Sequence, residues 1–124
     1  MSKKKVAIVE DDLTISQMYR MKLEMEGFEV QVAGDGEQGV ILVQSFKPDV
    51  VLLDVRMPKM NGDEALVLIR KEEWGKKIPV LVLTNTGREE FLPVFKPLDI
   101  VDFIVKAEST PKDVVLRVNE IVGA

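Results

Sequence analysis

Four short apolar runs punctuate the chain: 6–9 (Val-Ala-Ile-Val), 50–53 (Val-Val-Leu-Leu), 80–83 (Val-Leu-Val-Leu) and 103–105 (Phe-Ile-Val). Each is β-rich, too short for a helix and without alternation, the pattern of a strand buried on both faces. Phe28-Glu29-Val30-Gln31-Val32 alternates apolar and polar instead, as an edge strand with one wet face does. Between these five strands the apolar residues recur at helical spacing: Ile15, Met18, Tyr19 and Leu23; Val40, Val43 and Phe46; Leu66 and Ile69; Val114, Val118, Ile121 and Val122. Strand and helix therefore alternate through the whole length, which predicts one α/β domain over residues 1–124 with a doubly wound parallel sheet and helices on both faces. An edge strand in second position favours the flavodoxin-like order 2-1-3-4-5.

Helix punctuation agrees. Gly27 follows the first helix and Asn61-Gly62 opens the third. Thr110-Pro111-Lys112-Asp113 sets a cap, a first-turn proline and an acid three residues on before the last helix, which Gly123 stops. A fourth helix is expected between Arg88 and Ile100, short or bent because Pro93 and Pro97 interrupt it. The methionines at 18, 21 and 25 read as core, and Trp74 as the anchor of a loop at the end of the sheet away from the acids.

In open α/β sheets the functional crevice lies beyond the carboxyl ends of the strands. After strand 1 stand Glu10, Asp11 and Asp12; strands 3, 4 and 5 end on Asp54, Thr84 and Lys106. Asp12, just before a helix, reads as its cap. Capping does not explain Glu10, Asp11 and Asp54 meeting on neighbouring strands. Each such pair of like charges at about 5 Å repels by roughly 3 kcal/mol at an effective dielectric of about 20. A site that keeps this repulsion generally holds a cation, and oxygen ligands alone point to Mg²⁺, Mn²⁺ or Ca²⁺. With no histidine and no cysteine in the chain, thiol chemistry, histidine acid-base chemistry and Cys/His zinc sites are all excluded. What is left is a carboxylate nucleophile, a cation, a lysine and a hydroxyl donor. These are the parts of phosphoryl transfer to an aspartate.

The net charge of −4 argues against a direct grip on nucleic acid, and no apolar run approaches a membrane span. The basic start, Met1-Ser2-Lys3-Lys4-Lys5, lacks the apolar stretch of a signal peptide, so a cytoplasmic protein is expected.

Val9-Glu10-Asp11-Asp12, the stretch 48–62 (Pro-Asp-Val-Val-Leu-Leu-Asp-Val-Arg-Met-Pro-Lys-Met-Asn-Gly), Val82-Leu83-Thr84 and Phe103-Ile104-Val105-Lys106 together resemble the receiver domain of two-component response regulators. The resemblance implies that Asp54 accepts a phosphoryl group from a phosphohistidine on a sensor histidine kinase or histidine phosphotransfer protein. It implies a site that catalyses its own phosphorylation and later hydrolysis, rather than an enzyme acting on others. Mg²⁺, or Mn²⁺ in its place, would be held by Asp11, by Asp54, by Glu10 mainly through water and by the Arg56 backbone carbonyl. Lys106 would pair with the phosphoryl group, Thr84 would hydrogen-bond to it, and Phe103 would change rotamer on activation. A downstream protein target is implied, with the fourth helix, strand 5 and the last helix as the output face and a dimer contact; no output domain is expected within residues 1–124.

Three positions depart from the family pattern: Ala107 where a proline, often cis, follows the lysine; Asn85 in place of a small residue after Thr84; and Pro93 in the fourth helix. Three other readings compete. Haloacid dehalogenase-like hydrolases use Asp-x-Asp, but here Arg56 follows in Asp54-Val55-Arg56. A flavin or nucleotide binder would want a phosphate cradle after strand 1, where acids stand. The third reading, a phosphorylation-independent interaction module that retains the same fold, is the alternative kept.

Overall fold

The computed structural model describes residues 3–85 and 93–123. Five parallel strands, β1 (Lys5–Val9), β2 (Glu29–Ala33), β3 (Val50–Asp54), β4 (Val80–Thr84) and β5 (Asp102–Val105), form one sheet in the order β2-β1-β3-β4-β5. The register sets Val6 beside Val50, Leu53 beside Val82 and Thr84 beside Val105, so the carboxyl ends of the strands come level along one rim. Helices α1 (Leu13–Met25), α2 (Gly36–Phe46), α3 (Gly62–Lys71) and a C-terminal helix (Pro111–Val122) connect and cover the strands.

Period-two alternation sends the two halves of each strand to opposite cores. Val6, Ile8, Leu52, Leu81 and Leu83 pack with Tyr19 and Leu23 of α1 and Val114 and Val118 of the C-terminal helix. Ala7, Val9, Leu53, Val80 and Val82 pack with Val43 of α2 and Leu66 and Ile69 of α3 on the other face. β1, β3 and β4 are buried almost throughout and β2 alternates at one edge, whereas β5, expected from its apolar run to be buried on both faces, is the other edge strand and fully buries only Ile104. The apolar runs showed no period because both faces of the inner strands are covered.

The caps form as the residue types dictate. Asp12 accepts from the Ile15 N–H at 3.1 Å, confirming its structural role. Thr110 and Asp113 exchange side chain and backbone bonds at 3.2 and 2.9 Å in a capping box with Pro111 at the first turn. Gly27 and Gly123 carry φ of 95° and 73°, a conformation their lack of Cβ makes cheap.

A reading of α1 is overturned as well. Met18, Met21 and Met25 are 43%, 63% and 75% exposed, and with Leu13 they form an apolar outer surface on α1 instead of core. The buried residues of that helix are Ser16, Tyr19 and Leu23; the Ser16 hydroxyl is satisfied by the Leu13 carbonyl at 3.2 Å. The expected fourth helix is only partly covered, since residues 86–92, including Arg88, lie outside the described residues. Residues 93–95 are helical and run into a 3₁₀ turn over Lys96–Leu98.

Candidate functional site

The carboxylates of Glu10, Asp11 and Asp54 converge with ligand oxygens within 4.8 Å of one another, the first two from the β1–α1 loop and the third from the end of β3. Glu10 is 1% exposed and Asp54 4%, whereas Asp11 faces solvent. Lys106, the first residue after β5, reaches across the end of β4 into this group. Its Nζ lies 2.5 Å from Glu10 Oε1 and 3.0 Å from Asp54 Oδ1, with its own side chain only 8% exposed. Asp54 Oδ1 also accepts from the Val55 N–H at 2.9 Å, and Glu10 Oε2 from the Asp12 N–H at 3.2 Å.

Two buried carboxylates against one buried ammonium leave excess negative charge, and the titration directions follow. Burial pushes the Glu10 carboxyl up to about 7, Asp54 adds to the rise, and Lys106 opposes it. Burial alone would lower the Lys106 ammonium, but Glu10 and Asp54 outweigh it and hold the group above its ordinary value. Despite its contact with Lys106, Glu10 Oε1 lacks a properly directed hydrogen bond and is a buried side-chain oxygen without such a partner. Three converging carboxylates, two of them buried, with no nitrogen or sulfur donor among them suit a hard divalent cation.

Thr84, 1% exposed, ends β4 on the same rim, and the exposed Asn85 follows it. Arg56 stands on the rim loop after β3, exposed. Phe103 is half-buried and meets the fully buried Phe95 edge-on. Lys106-Ala107 opens a 3₁₀ turn, Lys106–Glu108, and the described peptide bonds are all trans, so this loop is built without the bend that a cis proline would give. Trp74 is half-buried in a 3₁₀ turn, beside Pro48 and Pro79 at the amino ends of β3 and β4, far from the acids as expected.

The sequence did not reveal the direct Glu10–Lys106 pair. Its signal was present in the strand order: a lysine two strands from Asp54 has a stem long enough to cross β4, and a buried ammonium goes to the nearest buried charge.

The loop between β3 and α3 is pinned to this rim. The Met57 N–H donates to Asn61 Oδ1 at 3.3 Å, and the Gly62 N–H donates to the Val55 carbonyl at 2.8 Å. Gly62 packs so closely on the Asp54 carbonyl that a Cβ would collide with it. Gly62→Ala should therefore cost about 1–3 kcal/mol by overpacking and displace Asp54. Urea unfolding checks this, and an unchanged midpoint would show that α3 yields freely.

A family model described as the response regulator receiver domain matches residues 6–119. A probable transcriptional regulator, ycf27, of Cyanophora paradoxa is 34% identical over 120 residues, covering 97% of this chain and 48% of the relative. The phosphate regulon transcriptional regulatory protein PhoB of Rhizobium meliloti is 33% identical over 108 residues, covering 87% and 48%. The crystallised chemotaxis protein CheY4 of Vibrio cholerae superposes with a TM-score of 0.90 at 29% identity, over 97% of this chain and 99% of its own. The receiver domain of sensor histidine kinase PA1611 from Pseudomonas aeruginosa PAO1, 22% identical, shares the fold with a TM-score of 0.88 over 99% of this chain and 100% of its own, and was solved with a magnesium ion coordinated in its active-site cleft. The chain spans about half the length of these curated relatives.

Proposed function

The chain belongs to the response regulator receiver domain family, and from that premise we propose that Asp54 is the phosphoacceptor of a two-component phosphorelay. The observation that supports this most is the buried Asp54 carboxylate set between two further acids and the Lys106 ammonium. Because Lys106 and the Val55 N–H engage Oδ1, Oδ2 is the oxygen that attacks. Its lone pair forms the O–P bond while the P–N bond of a phosphohistidine breaks, and the histidine nitrogen keeps that electron pair. Lys106 shifts from the carboxylates toward the phosphoryl oxygens, Thr84 donates its hydroxyl to one of them, and Phe103 reorients. Attack of water on phosphorus later breaks the bond between phosphorus and the Asp54 oxygen, so that inorganic phosphate leaves and the Asp54 carboxylate is restored.

Mg²⁺, or Mn²⁺ in its place, held by Asp11, Asp54, the Arg56 carbonyl and Glu10 through water, would neutralise charge on the transferring phosphoryl group. The donor is a sensor histidine kinase or histidine phosphotransfer protein. The exposed Leu13, Met18, Met21 and Met25 surface of α1 suits an adaptable apolar contact with the donor's helices. Output goes to a downstream protein, not directly to nucleic acid. No helix among the described residues is long and apolar enough to cross a membrane, and a cytoplasmic setting follows from the relay itself.

Incubation with a small acyl phosphate and Mg²⁺, read by intact mass, should add one phosphoryl group to the wild type and none to Asp54→Asn. An unlabelled wild type that still binds Mg²⁺ would favour the phosphorylation-independent interaction module. Labelling of Asp54→Asn to the same extent would move the acceptor elsewhere. In the same buffer, Mg²⁺ at a hundredfold excess over its dissociation constant should stabilise the wild type by about 2.7 kcal/mol. Asp11→Asn should remove most of that response; equal stabilisation of both proteins would put the ion at another site.

A further inference from the structure

We propose that Phe95 is a positioning residue that holds the Phe103 ring in its resting orientation, and that Arg70 holds the segment carrying Phe95. The proposal rests on the reading of Phe103 as the mobile aromatic of the site. Phe103 sits beside Val82 in the β4–β5 register, so it shares a sheet face with Thr84, two residues further along β4. The ring is half-buried, and its residue also borders the surface groove formed with Leu116 and Arg117 of the C-terminal helix. Its side chain lies on the Val82 face of the sheet, opposite the face on which the C-terminal helix packs, and what packs its buried side decides which way the ring lies. That neighbour is Phe95, which is fully buried; the ring centroids are 5.8 Å apart at 86°, an edge-to-face contact.

Phe95 can act as a latch only if its own backbone is fixed. Directly after it come the 3₁₀ turn Lys96–Leu98 and Asp99 with φ of 58°, a left-handed conformation uncommon for a residue with a Cβ. The Arg70 guanidinium, from the last turn of α3, donates to the Leu98 carbonyl at 2.9 Å and the Asp99 carbonyl at 3.2 Å. It also donates to the carbonyls of Gly75 and Ile78, both at 2.8 Å. One side chain thus ties the end of α3, the entry to β4 and the segment behind Phe95 into a single unit. A planar fork of donors can serve four carbonyls in this way where an ammonium cannot.

An edge-to-face pair of this kind biases an orientation equilibrium by about threefold to tenfold. The test is ¹⁹F NMR of protein labelled with fluorophenylalanine, with the Phe103 resonance assigned through Phe103→Leu. In the wild type that resonance should move when Asp54 is phosphorylated by a small acyl phosphate with Mg²⁺. In unphosphorylated Phe95→Leu it should already lie part of the way there, and Asp54 should label about threefold faster or more. Phe95→Met is the gentler variant should the leucine protein not fold, and Arg70→Met should shift the resonance in the same direction. A Phe103 resonance unmoved in the folded Phe95 variants, while the wild type still responds to phosphorylation, overturns the latch alone. A wild-type resonance that stays fixed although Asp54 is labelled removes the Phe103 reading, and the latch with it.

Discussion

Lys106→Met is expected to cost the metal-free protein about 3–5 kcal/mol at about pH 8, the usual loss when one partner of a buried ion pair is removed. For a domain of this size that is a fall in melting temperature of roughly 10–20 °C. The reason lies in what is left behind. Glu10 and Asp54 are both almost fully buried, and Lys106 is the cation that lies between them. Methionine preserves the length and apolar volume of the stem, so the loss reports charge and not packing. Two controls follow. Saturating Mg²⁺ should restore part of the stability by returning positive charge to the cluster, and acidification to about pH 5 should shrink the defect by protonating Glu10. Lys106 itself titrates above its ordinary range, so its contribution is complete throughout neutral pH and is lost only in strong alkali. A defect of equal size at pH 5 and pH 8 would mean that the stem, not the ammonium, matters.

What could be read in the residues, and what could not, divides along physical lines. The inner strands were legible because burial on both faces demands continuous apolar runs, and the end of each run exposes the next residue to the rim. That rule located Glu10, Asp54 and Thr84 together, and Lys106 followed from the apolar run of β5, although that strand lies at the edge and fully buries only Ile104. The methionines of α1 were misread because spacing of three and four residues shows that they share a face without showing which face is buried. The buried side is set by Tyr19, Leu23 and the small polar Ser16, whose hydroxyl is satisfied within its own turn and so carries no hydropathic signal. The Arg70 clamp was invisible for a different reason. Its four acceptors are backbone carbonyls at positions 75, 78, 98 and 99, which any residue could supply. The positive φ of Lys59, at 68°, likewise has no glycine to announce it.

Glu10→Gln is expected to do the opposite of Lys106→Met and to stabilise the metal-free protein, by about 3 kcal/mol at about pH 8. The folded Glu10 carboxyl titrates near 7, chiefly through burial and then through Asp54, against an ordinary value of 4.5. Between these values the unfolded chain has released the proton that the native protein retains, so native stability falls as pH rises through this window. Below about pH 4.5 the group is neutral in both states, and above about pH 7 the penalty is complete. Glutamine cannot ionise, so this part of the slope should disappear and the two proteins should converge at the acid end. Placed in one cycle, Glu10→Gln should suppress much of the Lys106→Met defect, because the ammonium then has one buried carboxylate to balance instead of two. A glutamine variant that loses as much stability as the wild type between pH 5 and pH 8 would assign the slope to another group and end the argument that Glu10 is held in the fold against its own charge.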